Sequence, residues 1–384
     1  MRVLVAGAGA FGGWTALELV RRGAAVRLVD AWGPGNARAS SGGETRVIRA
    51  TYGFHHVYTR MARRALDLWR ADGERHGQGL LRTTGALWMF AGQNPFISAS
   101  KAALRASGLP LEEVSPAEAR RRYPQIDFSG IAAVLFEPEA GYLRARDACE
   151  HVGARVGAEG GSYSSGAVRG PVRLDGPLRR VTLADGSSLE ADVFVFACGP
   201  WMPSLFPDVL GSLIAITRQE IYYFGPDAGD SRFTGECLPV WLDAGERFVY
   251  GIPGDVNTSF KVADDTPGPP MDPTTDDRVP DAQGVDRIRG FLSRRFPALS
   301  GAPLVRAEVC QYESTPDAHF IIDRHPLSPN VWLVGGGSGH GFKMGPAVGE
   351  LVASLVLGEA AVDPAFALAR FASPPPGGWR AKWS

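Results

Sequence analysis

The residues of this chain whose types and spacing can do chemistry fall in a few short stretches. Gly7, Gly9 and Gly12, with Ala10 and Phe11 between them, follow the apolar run Val3-Leu4-Val5, and Asp30 closes a second apolar run from Val26 to Val29. That order, strand, glycine turn, helix, strand, acid, suits a dinucleotide. The glycines let the turn tighten and the backbone approach a pyrophosphate, the helix N-terminus offers free N–H groups, and the acid accepts hydrogen bonds from a ribose. The fingerprint does not tell FAD from a nicotinamide cofactor. Arg46 and Arg49 stand three apart beside Val47 and Ile48 in a glycine-flanked stretch, too basic for a core and too apolar for a solvated loop. Two readings stay open for it: a surface turn followed by a short helix, or a loop that buries its guanidinium groups against an anionic cofactor or substrate. A second glycine-rich segment, Gly335 to Gly345, carries His340 and Lys343, and a loop with so many glycines wraps a ligand closely. Cys149, Cys198, Cys237 and Cys310 form no CxxC pair, so neither a zinc site nor a disulfide framework is indicated. No metal is expected.

The elements that must position these residues are those of an α/β chain. A length of 384 residues predicts two joined domains. Lys+Arg 40 against Asp+Glu 41 gives no support for a nucleic-acid partner. No apolar run is long enough to span a bilayer, and a buried strand starting at residue 3 leaves no room for a signal peptide, so a cytoplasmic enzyme is expected. Helical spacing of Val57, Met61, Ala65, Leu68 and Trp69 predicts a helix ending by Gly73 or Gly77. Ser115-Pro116-Ala117-Glu118 reads as an N-cap with proline in the first turn. Strands are predicted at 85–90, 133–137, 192–197 and 331–334 and through 214–265, with a turn at 140–142, a hairpin at Asp185-Gly186, and helices at 99–107, 145–157, 285–296 and 346–357. Cys198 to Trp201 is a turn that brings backbone close to something, 264–283 is an exposed loop, and the tail near Pro374 is proline-rich. Nucleotide-type segments thus recur three times, interrupted by two inserts.

This constellation resembles the D-amino-acid-oxidase-like flavoproteins, and within them the monomeric sarcosine oxidase, N-methyltryptophan oxidase and pipecolate oxidase group. The resemblance covers nearly the whole chain. It is carried by GETRVIRATYG (Gly43 to Gly53), VCQY with HFIIDRHP (Val309 to Pro326), and GGSGHGFK (Gly336 to Lys343). It implies a glutathione-reductase-type FAD-binding Rossmann domain, expected over 1–50, 145–212 and 303–384. Interleaved with it would be a mixed-sheet catalytic domain over 51–144 and 213–302.

The resemblance also implies roles. Cys310 matches the cysteine that carries FAD covalently, Arg46 an arginine against the flavin ring, and Lys261 a lysine that activates oxygen with its charge. Arg49 and Lys343 match the pair that binds the substrate carboxylate, and Tyr250 and Tyr312 match aromatic residues of the substrate cavity. Gly7, Gly9, Ala10, Phe11, Gly12, Asp30, Ser40, Thr45, Val168, Ala197, Gly199, Trp201, Gly337, Gly339, His340, Gly341 and Phe342 are placed along the cofactor. The chain departs from the family pattern where two active-site histidines fall at Asp265 and at Gly42 or Ser41. Asp265 would change the cavity's charge and size, either pairing with a cationic amine or lying exposed in its loop. The implied activity is that of a monomeric oxidase turning a secondary, N-methyl or cyclic amino acid into an imine while O2 becomes H2O2. The alternatives are a dehydrogenase of the same fold using another acceptor, and a flavin-binding regulator.

Overall fold

A computed structural model describes residues 1–77, 79–254 and 259–372, and the proline-rich tail near Pro374 lies outside the described residues. The first strand, Arg2–Ala6, is buried at every position after Arg2, and it is flanked by parallel strands Ala25–Asp30 and Val193–Phe196. A strand covered on both faces reads as a continuous apolar run, and each fully buried Leu or Val there contributes on the order of 1.5–3 kcal/mol. The sheet has six strands in the order Ile321–Arg324, Val331–Gly335, Val193–Phe196, Arg2–Ala6, Ala25–Asp30 and Ser162–Ser165. All pairs are parallel except the first.

Helices Ala10–Arg21, Ala145–Ala158 and Gly345–Val356 share one core with this sheet. The first and last of them touch backbone to backbone. A Cβ placed on Gly349 would lie 2.7 Å from the backbone carbon of Trp14, so only glycine allows the approach. Gly7, at φ +102, turns the chain out of the first strand, and a Cβ there would stand 2.3 Å from the Ala197 oxygen.

The second sheet has eight strands, in the order Leu304–Ser314, Ala215–Phe224, Phe260–Asp264, Phe248–Ile252, Val240–Ala244, Ala86–Phe90, Ala133–Glu137 and Glu112–Val114. The segment 304–314, grouped above with the nucleotide unit, is thus an edge strand of the larger sheet. One face of this sheet packs Trp241, Phe260 and Val262 against helix Ala282–Arg295. The long helix His56–His76 stops at Gly77, whose φ of 64 lets its N–H reach the Gly73 oxygen at 2.9 Å. Ser115 accepts from the Glu118 N–H and caps helix Pro116–Arg122 as its sequence indicated.

Two expectations are corrected. The stretch after Gly43 is neither a turn nor a helix: Thr45–Ile48 is a strand paired antiparallel with Gly141–Arg144, which takes in Gly141 and Tyr142 of the turn read at 140–142. Backbone pairing between distant segments decided both, and a local pattern does not show it. The run Ala86–Phe90 is buried at all five positions, with Leu87 and Met89 packed in one core and Ala86, Trp88 and Phe90 in another on the opposite face.

Glycine-to-alanine changes should therefore have opposite signs at two helical sites. Gly349→Ala forces the crossing helices apart and should lower stability by about 1–3 kcal/mol. Gly290→Ala, in the exposed middle of Ala282–Arg295 with nothing within 4 Å of its Cβ, should raise it by about 0.5–1 kcal/mol. Denaturant midpoints of the two variants check the pair; a stabilising Gly349→Ala would contradict the close crossing.

Candidate active site

The inner face of the eight-stranded sheet follows from its register. Tyr250 opposes Ala263 and Leu242, Lys261 opposes Ile252 and Tyr223, and Tyr312 opposes Thr217. Side chains two apart share a face, so Leu242, Tyr250, Lys261, Cys310 and Tyr312 all point away from the Trp241 core. Opposite them stand the C-terminal ends of the six-stranded sheet. Between the two layers runs a cavity of about 480 Å³, bounded at one end by Gly7, Gly9 and Asp30 and at the other by Arg49, Tyr250, Tyr312 and Lys343.

At the first end, helix Ala10–Arg21 starts from Gly9 with no side-chain cap, so its leading N–H groups face the cavity as an anion site. Asp30 is held by three backbone amides, Ala8 N–H at 2.7 Å, Trp32 N–H at 2.9 Å and Gly33 N–H at 2.8 Å, which fixes its carboxylate at the cavity wall. Trp32 and Trp201 lie with ring centroids 4.7 Å apart at this end. A bare helix N-terminus, a backbone-held carboxylate and glycine walls are what a pyrophosphate and its ribose need, so the residues present fit a dinucleotide.

Positive charge crowds the other end. Arg49 and Lys343 are 3 % and 5 % exposed, and both touch one phenol. The Lys343 ammonium donates to Tyr52 Oη at 2.9 Å and to the His340 oxygen at 2.8 Å. The Arg49 guanidinium stacks 4.5 Å from the Tyr52 ring and 4.8 Å from that of Trp88, and donates to the Thr51 oxygen. Burial lowers the pKa of Arg49, with Tyr52, Glu137 and Asp265 opposing the shift. The Glu137 carboxylate carries the backbone beneath: it accepts from Ala50 N–H at 2.8 Å, from Thr51 N–H at 3.3 Å, from the Thr51 hydroxyl and from Trp88 Nε1 at 3.0 Å.

Arg46 donates to the Thr45 oxygen at 2.9 Å and the Ser40 oxygen at 2.7 Å, and its guanidinium lies 3.7 Å from Cys310 Sγ. Lys261, 1 % exposed, donates to the Thr45 oxygen at 2.7 Å. Burial, and then the Arg46 charge, push Lys261 down to about 7. Asp265 lines the cavity and accepts from the Tyr312 hydroxyl at 2.7 Å. Of the two fates open to it, exposure in its loop is not the one the fold chose.

The residues singled out from sequence divide into two groups. Gly7, Gly9, Ala10, Phe11, Asp30, Ser40, Arg46, Arg49, Val168, Ala197, Gly199, Trp201, Tyr250, Asp265, Tyr312, Gly337, Gly339, His340, Gly341, Phe342 and Lys343 all line the one cavity. Gly12, Thr45, Lys261 and Cys310 are not among its lining residues but adjoin them. Gly12 packs under the Gly7 carbonyl, Lys261 donates to the Thr45 oxygen, and the half-buried Cys310 lies against Arg46.

Sequence reasoning missed Tyr52, Glu137 and Glu313. Glu313 lines the cavity and accepts from the Ser40 hydroxyl at 2.6 Å, and burial pushes it up to about 7 against that bond. An acid three residues past Cys310 was a visible signal for it. Glu137 ends an apolar strand, and nothing local marks it as the partner of residues 50 and 51.

Comparison with known proteins agrees with this arrangement. A family model described as FAD dependent oxidoreductase (DAO) matches residues 2–355. The chain is 33% identical over 363 residues to a monomeric sarcosine oxidase of Streptomyces avermitilis, covering 92% of this chain and 93% of that protein. It is 27% identical over 378 residues to an N-methyl-L-tryptophan oxidase of Citrobacter koseri, covering 96% and 97%. In fold it is similar to L-proline dehydrogenase from P. horikoshii, with a TM-score of 0.83 at 21% identity over 97% of both chains. Residues 2–355 carry the fingerprint, the fixed acid and the cavity between the layers, and the chain belongs to the family of FAD-dependent oxidoreductases.

Proposed function

We propose that this protein is an amine oxidase that converts a secondary, N-methyl or cyclic amino acid to its imine and passes the electrons to O2, giving H2O2. The observation that carries the reading is the buried pair Arg49 and Lys343, joined through Tyr52 at the cavity end away from Asp30. Two desolvated cations in one wall suit a carboxylate, a guanidinium fork and an ammonium together fixing its orientation. Asp265, held by Tyr312, stands in the same cavity and takes the amine end, where its carboxylate accepts from the substrate nitrogen. Names of relatives, sarcosine oxidase and N-methyl-L-tryptophan oxidase, support substrates with a substituted nitrogen.

When bound, FAD supplies the two-electron redox chemistry, accepting hydride from the substrate carbon and returning the electrons to oxygen. The chain's own residues bind, orient and shield. Gly9 and the helix it opens, Asp30, and the walls at Val168, Ala197 and Trp201 hold the dinucleotide, while Phe11 and the 337–342 loop close around it. Arg46 contributes fixed positive charge. Lys261 behind it adds a second charge that favours reduction of oxygen whenever its ammonium is protonated.

Cys310 is the attachment point for FAD in this proposal. Its Sγ lies 3.7 Å from the guanidinium of Arg46, which lines the cavity, so the thiol stands at the edge of the site.

Purified protein should release peroxide on addition of N-methyl or cyclic amino acids and not with the same amines lacking the carboxylate. Dye reduction without peroxide would favour the dehydrogenase reading instead. Arg49→Ala and Lys343→Met should each raise KM by at least about tenfold, since a charge-assisted bond contributes about 1.5–3 kcal/mol. Equal turnover of carboxylate-free amines would refute the clamp.

Acid precipitation should leave the yellow colour in the pellet, and Cys310→Ala should release it to the supernatant. Free flavin from the unmodified protein would remove the covalent assignment.

Lys261 is charged below its pKa of about 7 and neutral above it. The rate at which air reoxidises the reduced enzyme should therefore fall as pH rises, with a midpoint above 7 because reduction adds negative charge beside Arg46, and in Lys261→Met it should be slower by roughly a hundredfold and flat with pH. Stopped-flow traces across pH check this; a pH profile unchanged by the substitution would place oxygen activation elsewhere.

A further inference from the structure

Away from the cavity, the last turn of helix His56–His76 and the helix Ala145–Ala158 bring three side chains to a point. Asp72 and His76 are one helical turn apart and share a face, and His151 meets them from the neighbouring helix. His151 Nε2 lies 3.1 Å from Asp72 Oδ2, and His76 Nε2 lies 3.8 Å from Asp72 Oδ1. One ligating atom from each residue falls within 4.8 Å of the others.

The side chains are buried, 4 % exposed for Asp72, 13 % for His76 and 12 % for His151. Yet both Asp72 oxygens and both Nε2 atoms lack a hydrogen-bond partner. That combination is unusual. A buried carboxylate with no donor is costly, and an ordinary Asp–His pair would aim an imidazole N–H at the oxygen. Here the atoms converge without that alignment.

We propose that Asp72, His76 and His151 form a binding site for a divalent transition-metal ion, Zn2+ by its donor set. Two imidazole nitrogens and one carboxylate oxygen suit zinc: donors about 2.0–2.1 Å from a tetrahedral ion stand about 3.3 Å apart, close to the 3.1 Å between His151 Nε2 and Asp72 Oδ2, and the three donors already lie within 4.8 Å of one another. A water completes the fourth position, on the partly exposed histidine side. Arg155, whose charge reaches His76, is tied to Glu159 at 3.0 and 2.7 Å and so does not fill the site.

The site would be a brace rather than a reaction centre. It joins the two helices one turn beyond Trp69, whose Nε1 donates to the Lys343 oxygen at 2.9 Å. The 74 residues between His76 and His151 kept it invisible to motif spacing.

The flavin-loaded protein, stripped with a chelator and desalted, is titrated with ZnCl2 in a calorimeter and then melted with and without Zn2+. A single-site isotherm is expected, with the melting temperature rising by several degrees at saturating metal. His76→Gln and His151→Gln should each weaken binding by about a hundredfold or more and abolish the thermal shift. Cys237→Ser, which removes an exposed thiol, should change neither readout. Should Asp72→Asn fail to fold, the two histidine variants still decide. No isotherm in the parent protein, or one that persists in both histidine variants, overturns the proposal.

Discussion

The constraint on which the rest depends is desolvated positive charge. Arg49, Lys261 and Lys343 are almost fully withdrawn from water, and Arg46 stands among them. Burying an ammonium or guanidinium costs several kcal/mol unless partners replace its hydration. The fold supplies mostly neutral ones: the carbonyls of Ser40, Thr45, Thr51 and His340 and the faces of Tyr52 and Trp88. Of the nearby acids, Glu137 is spent on the backbone of residues 50 and 51, and Glu313 is drawn towards its neutral form. Asp265 answers part of that charge from the cavity wall, and an anionic occupant answers more of it.

Holding such a site apart from water needs two layers that do not yield. The helix after Gly7 and the one after the 335–345 loop cross so closely at Trp14 and Gly349 that the two glycine loops they carry are fixed relative to one another. Trp69 ties the long helix to the backbone of Lys343, and Glu137 ties the sheet to the strand that carries Arg46. Each cation is thus positioned through backbone. Side-chain entropy is lost at folding rather than at ligand binding, which is the condition for a preorganised site.

Much of this was legible in the sequence. The glycine fingerprint, Asp30 and the buried run at 193–196 identify the six-stranded layer because each follows from local chemistry with one period. Arg46, Arg49 and Lys343 stood out because their type conflicts with their neighbours. The strand at Thr45–Ile48 did not, since its partner is 141–144 and pairing over nearly a hundred residues leaves no local trace. Tyr52 and Glu137 escaped for a similar reason: a tyrosine beside a glycine and an acid at a strand end are common, and only their shared neighbours give them meaning. Asp265 could not be placed from its surroundings, because the exposed loop that follows it masks the bond to Tyr312 that turns it inward.

Two groups near this cavity have pKa values close to neutrality, and they lie around the same arginine. Burial moves Lys261 down and Glu313 up to about the same value, while Arg46 opposes protonation of both. A base and an acid displaced towards each other make local charge adjustable by one proton at little cost near pH 7, which an ordinary lysine and glutamate cannot do. A negative charge arriving beside Arg46 would favour the protonated form of each neighbour, since it offsets the repulsion Lys261 feels and adds to the repulsion of the Glu313 carboxylate. Proton uptake would thereby accompany any gain of negative charge in the cavity.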